Sequence, residues 1–136
     1  MNATFHVADF ETTVYEGQTE TEVWAAATVQ MYTEDVLIFH SIGDLFSYYK
    51  VMPGNQIVYF HNLKFDGAFW IDYLIKELKF QQAYEITQEN PFTCYWLRNN
   101  EMPNNSFKYS IANKGQWYRI VIKVRGKIIE IRDSLK

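Results

Sequence analysis

Three acidic side chains in this chain are spaced so that they can act together. Asp9 and Glu11 flank Phe10 near the start. In an extended segment the two carboxylates share one side and Phe10 takes the other. Carboxylates projecting side by side repel each other unless a cation sits between them. Mg2+ and Mn2+ are such cations: they take oxygen ligands, usually one or two carboxylates plus water and phosphate. The third acid, Asp66, lies in the stretch Val58 to Tyr73, where an apolar strand passes through a turn into an amphipathic helix. His61, Asn62 and Lys64 occupy that turn and can bond to a sugar or phosphate. Tyr59, Phe65 and Phe69 offer rings to an unpaired base, a contact worth about 1–3 kcal/mol per base. Each residue also has a plainer reading. Asp-x-Glu can be a solvated strand end, Asn62 a helix cap, and Asp66 a first-turn acid that favours the helix dipole by roughly 0.3–1 kcal/mol. The rings can be core residues.

The pattern of apolar residues indicates what positions these groups. Thr4–Ala8 reads as a first strand leading into the Asp9–Glu11 pair. Val23–Tyr32 and Val36–His40 read as strands, Asp44–Met52 as a helix stopped by Pro53-Gly54, and Gln56–Phe60 as a strand buried on both faces. Phe65–Leu78 has the clearest helical spacing. Ile71, Leu74, Ile75 and Leu78 gather on one face, with Asp66, Phe69, Trp70 and Tyr73 about a third of a turn away. The first face is therefore expected to pack on a sheet, and Asp66 to look sideways past the strand ends. Thr93–Leu97, Phe107–Ile111, Gln116–Val124 and Lys127–Arg132 read as short strands, with Arg125-Gly126 a tight hairpin between the last two and Asn99–Asn105 a loop. Strands mixed with helices, without a linker or repeat, predict one α/β domain over 1–136 with a central mixed sheet.

Composition is consistent with this. The 136 residues are 48% hydrophobic and 18% aromatic, which excludes a disordered chain. No apolar run reaches the roughly 18 residues of a membrane span, and no secretion signal opens the chain. One cysteine, Cys94, cannot form an internal disulfide and suits a reducing cytosol. The net charge of −3 is uneven: residues 108–136 hold eight Lys/Arg against two acids, and residues 1–107 hold five against fourteen. A basic end suits phosphate contact or a solvated hairpin.

Ala8-Asp9-Phe10-Glu11-Thr12-Thr13 resembles the first exonuclease motif of family B DNA polymerases. Tyr59 to Phe69 closely resembles the second motif in their protein-primed phage and plasmid branch. Gly115-Gln116-Trp117-Tyr118 and Asp133-Ser134-Leu135-Lys136 resemble further stretches of that branch, in the same order. The resemblance implies a ribonuclease H-like 3′–5′ proofreading exonuclease domain acting on single-stranded DNA in the cytoplasm of a bacterial host. It implies that Asp9, Glu11 and Asp66 hold two catalytic Mg2+ or Mn2+ ions. It also implies that Thr12, Tyr59, His61, Asn62, Phe65, Phe69, Ser134 and Leu135 contact the 3′ end, and that a terminal protein primer is a partner. The third motif of the family, Tyr-x-x-x-Asp, is not found in these residues. The expectation is thus a partial exonuclease domain, C-terminally truncated and weakly active or inactive alone. The alternative is a non-catalytic module that binds single-stranded DNA or a protein.

Overall fold

The computed structural model describes residues 3–13, 22–86, 94–111 and 117–134. Among them, β1 (Ala3–Thr12), β2 (Val23–Gln30) and β3 (Val36–Phe39) form an antiparallel meander. Helix α1 (Ile42–Val51) returns the chain to β4 (Asn55–Phe60), which pairs parallel to β1. Helix α2 (Leu63–Asp72) follows. Short strands β5 (Gln81–Gln82), β6 (Tyr84–Ile86) and β7 (Cys94–Trp96) lead to β8 (Ser106–Ile111), β9 (Trp117–Val124) and β10 (Lys127–Asp133). The main sheet has the order β3-β2-β1-β4-β10-β9-β8-β5, and β10 lies parallel to β4. Three antiparallel strands followed by two parallel ones is the arrangement of a ribonuclease H-like sheet, so the α/β class expected from sequence is observed. No helix among the described residues is long and apolar enough to cross a membrane.

Local chemistry sets the element boundaries. Ser41 caps α1 by accepting the Asp44 N–H, and Pro53-Gly54 ends the helix one residue beyond Met52. Arg125 and Gly126 both have positive φ, 52° and 75°, the two-residue turn that matches strand twist and fixes the β9–β10 register. The predicted strands and helices are found with shifts of at most four residues at their ends, counting the π-helical turn at Tyr73–Glu77 with the second helix. Residue spacing does not anticipate β5 and β6, and a 3-10 turn at Asn99–Glu101 interrupts the predicted loop. Residue 93 and residue 116, at the predicted starts of two strands, lie outside the described residues.

The predicted buried face of α2 is corrected. Leu63, Asp66, Gly67, Trp70, Ile71 and Leu74 are buried, whereas Ile75 is exposed. The chain passes into a π-helical turn at Tyr73–Glu77, which shifts the angular phase and carries Ile75 away from the sheet. Trp70 then becomes the centre of the core. Its ring meets those of Phe10, Phe60 and Phe46 at centroid distances of 5.7, 5.9 and 6.5 Å. Its Nε1–H is buried without a partner among the described residues.

Trp70→Ala is expected to remove about 3–5 kcal/mol of stability. Trp70→Phe should lose far less, because it also removes an unpaired buried donor worth about 1–3 kcal/mol. Urea unfolding followed by far-UV circular dichroism measures both. Equal losses for the two would show that the orphaned N–H carries no penalty.

Candidate functional site

Alternation along β1 works as expected: Ala8 and Phe10 are buried against the helices, while Asp9 and Glu11 are exposed on the opposite face. Parallel pairing sets Ala8 level with Phe60, so β1 and β4 reach the same end of the sheet. There the chain turns through His61 and Asn62 into α2, which brings Asp66 back over the β1 end. The Phe10 backbone N–H bonds to the Asp66 carboxylate. Gly67 makes this placement possible. A Cβ there would lie 2.4 Å from the Trp117 Cβ on β9, so only glycine lets α2 sit this close.

Asp66 is 7% exposed and its Oδ2 is buried without a partner among the described residues. Burial pushes its pKa up to about 7, and the charges of Asp9 and Glu11 add to the rise. The three predicted ligands are therefore close enough to repel one another. They are not gathered tightly: among the described residues no three His, Cys, Asp or Glu side chains stand close enough to share a metal ion. The donor set still fits Mg2+ or Mn2+: all ligand atoms are oxygens, and a buried carboxylate oxygen lacks a partner.

The predicted nucleotide-contacting residues surround this point. Phe65 is 62% exposed, with the Lys64 Nζ 5.4 Å from its ring centre. His61 and Asn62 are exposed. Asn62 occupies the N-cap position but makes no side-chain cap bond, so the plain capping reading does not hold. Phe69 is half-buried, edge-on to Phe10 at 6.5 Å, and also lines a cleft of about 450 Å3 with Tyr73 and Ile42. Tyr59 lies on the open face of the sheet rather than in the core, and its hydroxyl accepts a bond from Arg132 Nη1 at 3.3 Å. The Ser134 N–H donates to the Phe60 carbonyl at 2.9 Å, which puts Ser134 at the same strand end. Leu135 lies outside the described residues. Thr12 follows a register break in the β1–β2 pairing: Glu11 pairs with Ala25 and Thr12 with Val23, leaving Trp24 as the extra residue. Such bulges re-aim side chains. Trp24, exposed beside Glu11 and Thr12, was missed by sequence reasoning because the bulge has no signature in the residues. Arg132 was missed too: the hairpin turn could have placed it opposite Arg119, but its place level with Tyr59 comes from the parallel pairing of β10 with β4, which has no local signature.

Asp66 makes stability depend on pH. Its folded pKa of about 7 lies above the ordinary aspartate value of 3.8, so between these values the folded state holds a proton that the unfolded state has lost. Its contribution therefore falls as pH rises from about 4 to about 7 and stays low above that. Without divalent metal, Asp66→Asn should melt higher than the wild type at pH 8, and the difference should vanish at pH 4. Thermal melts at both pH values in a chelator measure this; parallel pH profiles would refute it. Gly67→Ala should lower the melting temperature at every pH, since it lifts α2 from Trp117.

No protein-family profile matches the chain. It is 34% identical over 134 residues to the DNA polymerase of Bacillus phage Nf, covering 94% of this chain and 20% of that protein. It is 27% identical over 145 residues to the DNA polymerase of Streptococcus phage Cp-1, covering 97% of this chain and 21% of that protein. The fold matches phi29 DNA polymerase complexed with primer-template DNA and incoming nucleotides, with a TM-score of 0.71 and 27% identity over 100% of this chain and 21% of that one. It matches phi29 DNA polymerase complexed with single-stranded DNA with a TM-score of 0.70 and 26% identity, again over 21% of that chain. The chain spans about a fifth of the length of these relatives. In sequence and in fold it is thus similar, over nearly its whole length, to part of the phage DNA polymerases of the protein-primed family B branch, the resemblance its two motifs carry.

Proposed function

We propose that the chain is the 3′–5′ proofreading exonuclease portion of a protein-primed DNA polymerase, working in the cytoplasm of a bacterial host. The observation that supports this best is the convergence of Asp9, Glu11 and Asp66, from two separate motifs, at one sheet end beside an exposed ring and amide. In this reading the three carboxylates hold two divalent ions, Mg2+ or Mn2+. When bound, these ions activate a water and stabilise the leaving oxygen during phosphodiester hydrolysis. Phe65, Phe69 and Tyr59 receive unstacked bases of the 3′ end. Asn62, His61 and Thr12 bond to its sugar and phosphate, and Ser134 and Leu135 flank the strand. Asp66, held by the Phe10 N–H, keeps α2 from drifting as charge gathers around it. The relatives' polymerase activity and their DNA come to this chain as part of the same proposal, as does contact with a terminal protein primer.

These residues contain no Tyr-x-x-x-Asp, the motif that carries a fourth carboxylate in the resembling family. Small errors of placement reduce rates by about 10²-fold. Weak activity is therefore expected of these 136 residues by themselves. The first test is binding. Mn2+ at about 100 times its dissociation constant should stabilise the fold by about 2.7 kcal/mol. Asp66→Asn should abolish that gain in a thermal-shift measurement, and a wild type indifferent to Mn2+ and Mg2+ would sink the metal site. The second test is a 3′-labelled oligonucleotide with Mn2+. Slow trimming lost in Asp66→Ala supports the exonuclease. Single-strand binding that needs no metal and survives Asp9→Ala and Asp66→Ala, with no trimming, would replace it with a non-catalytic binding module.

A further inference from the structure

The face of the sheet turned away from α1 and α2 carries a second polar arrangement, distinct from the carboxylates. Pairing registers set Ser110, Arg119, Arg132, Tyr59 and Val7 in one row across β8, β9, β10, β4 and β1. Neighbours in such a row are separated by ~4.8 Å of strand spacing. Arg119 and Arg132 stand directly opposite each other, a like-charge pairing that destabilises a sheet. Glu130, in the adjacent row, keeps them there. Its Oε1 accepts from Arg119 Nε and Nη2, both at 2.7 Å, and its Oε2 pairs with Arg132 Nη2. The Glu130 side chain is only 7% exposed, while those of Arg119 and Arg132 remain 43% and 40% exposed.

One buried acid thus fixes two guanidinium groups while leaving a positive charge and free N–H donors toward solvent. A guanidinium has five donors. Arg132 uses one on Glu130 and one on Tyr59, whose ring centre it approaches to 6.0 Å. Burial works against the Arg132 charge, but Glu130 and Tyr59 outweigh it and raise its pKa. Beyond Arg119 the surface continues into a small cavity of about 180 Å3 lined by Lys108, Trp96 and Tyr109. The Lys108 ammonium is anchored on the Leu97 carbonyl at 2.8 Å. In the other direction the row becomes apolar at Val7, two residues before Asp9 on the same face of β1, and continues through Val29 and Val36.

We propose that Arg119 and Arg132 form a phosphodiester track that carries single-stranded DNA across the open sheet face toward the carboxylates, with Tyr59 as its first stacking ring. This rests on the exonuclease reading and extends it, since the residues that grip the 3′ end lie beyond Tyr59. The chemistry matches. Fixed, half-exposed guanidinium groups pair with phosphate oxygens through their planar fork, and rings set among them suit unpaired bases. A surface serving stability alone would favour one arginine per acid.

The experiment is binding of a fluorescent oligo-dT to the full chain in chelator, titrated from low to high KCl. Each phosphate contact to a single strand contributes about 0.7 to the slope of log affinity against log salt. Arg119→Gln/Glu130→Gln/Arg132→Gln removes the patch without leaving a buried charge unpaired. It should flatten the slope by about 1.4 and weaken low-salt binding at least about tenfold. If that variant melts, Arg119→Gln alone, which leaves Glu130 paired to Arg132, should flatten the slope by about 0.7. Arg132→Lys, which keeps the charge, should keep the slope. An unchanged slope in both neutralised variants overturns the track and leaves the site near Phe65 standing. Phe65→Ala with Asn62→Ala tests that site separately: full binding in this double variant overturns the 3′-end reading. No binding by the wild type overturns both.

Discussion

The contact on which the rest depends is the seat of α2 on β9, where Gly67 lies against Trp117 with no room for a side chain. It fixes the height of the helix above the sheet. That height buries Trp70 among Phe10, Phe46 and Phe60 and holds Asp66 within reach of the Phe10 N–H. A carboxylate one turn into a helix would normally remain in water. Here the packing of a glycine and a tryptophan draws it under cover, next to two acids of another strand. Core packing and site electrostatics are therefore one problem in this fold, and residues that seem purely apolar set the charge state of Asp66.

Much of this was legible in the residues. The alternation that separates Asp9 and Glu11 from Phe10 and the Arg125-Gly126 turn are local patterns, and each is found as read. Gln56–Phe60, read as buried on both faces, alternates instead: Gln56, Val58 and Phe60 are buried while Ile57 and Tyr59 lie on the open side of the sheet, which no helix among the described residues covers. The pairing of Asp66 with the first motif was read through the resemblance; the fold brings Asp66 within electrostatic reach of Asp9 and Glu11 without gathering the three into a metal-binding cluster among the described residues. What failed was long-range. The apolar face of α2 was assigned by a constant 100° step, and the π turn at Tyr73–Glu77 broke the step. Asn62 has the identity of a cap without the bond, because its backbone rather than its side chain meets the first turn. The bulge at Trp24 is a fact of register between strands whose pairing the local residues do not set, whereas the opposition of Arg119 and Arg132 follows from the Arg125-Gly126 turn by counting back along the hairpin.

The charge asymmetry read from sequence also takes on a shape. The basic end of the chain folds into β8, β9 and β10, whose open face adjoins that of β4 and β1. The acids of β1 and the bases of β9 and β10 therefore share one face and are separated by about two strands. A polyanion approaching this surface is attracted at one end and repelled at the other. Only a counter-ion among the carboxylates would let it lie across both.

The two buried acids, Glu130 and Asp66, are opposites. Glu130 has both oxygens taken by arginines, so its charge is matched within the fold and its burial is explained by the chain itself. Asp66 has one backbone donor, an oxygen without a partner among the described residues, and two acids nearby that oppose its ionisation. Burying a charge is tolerable only when it is paired and hydrogen-bonded. A carboxylate left in this state weakens the fold for as long as it stays ionised, and Gly67 and Trp117 keep it there rather than letting it turn to solvent. In the proposed site a divalent ion would supply the positive charge that this buried carboxylate lacks. Metal affinity in the proposed site then comes from electrostatic strain held by the glycine seat, so a change at Gly67 that frees Asp66 would relax the strain and weaken the affinity together.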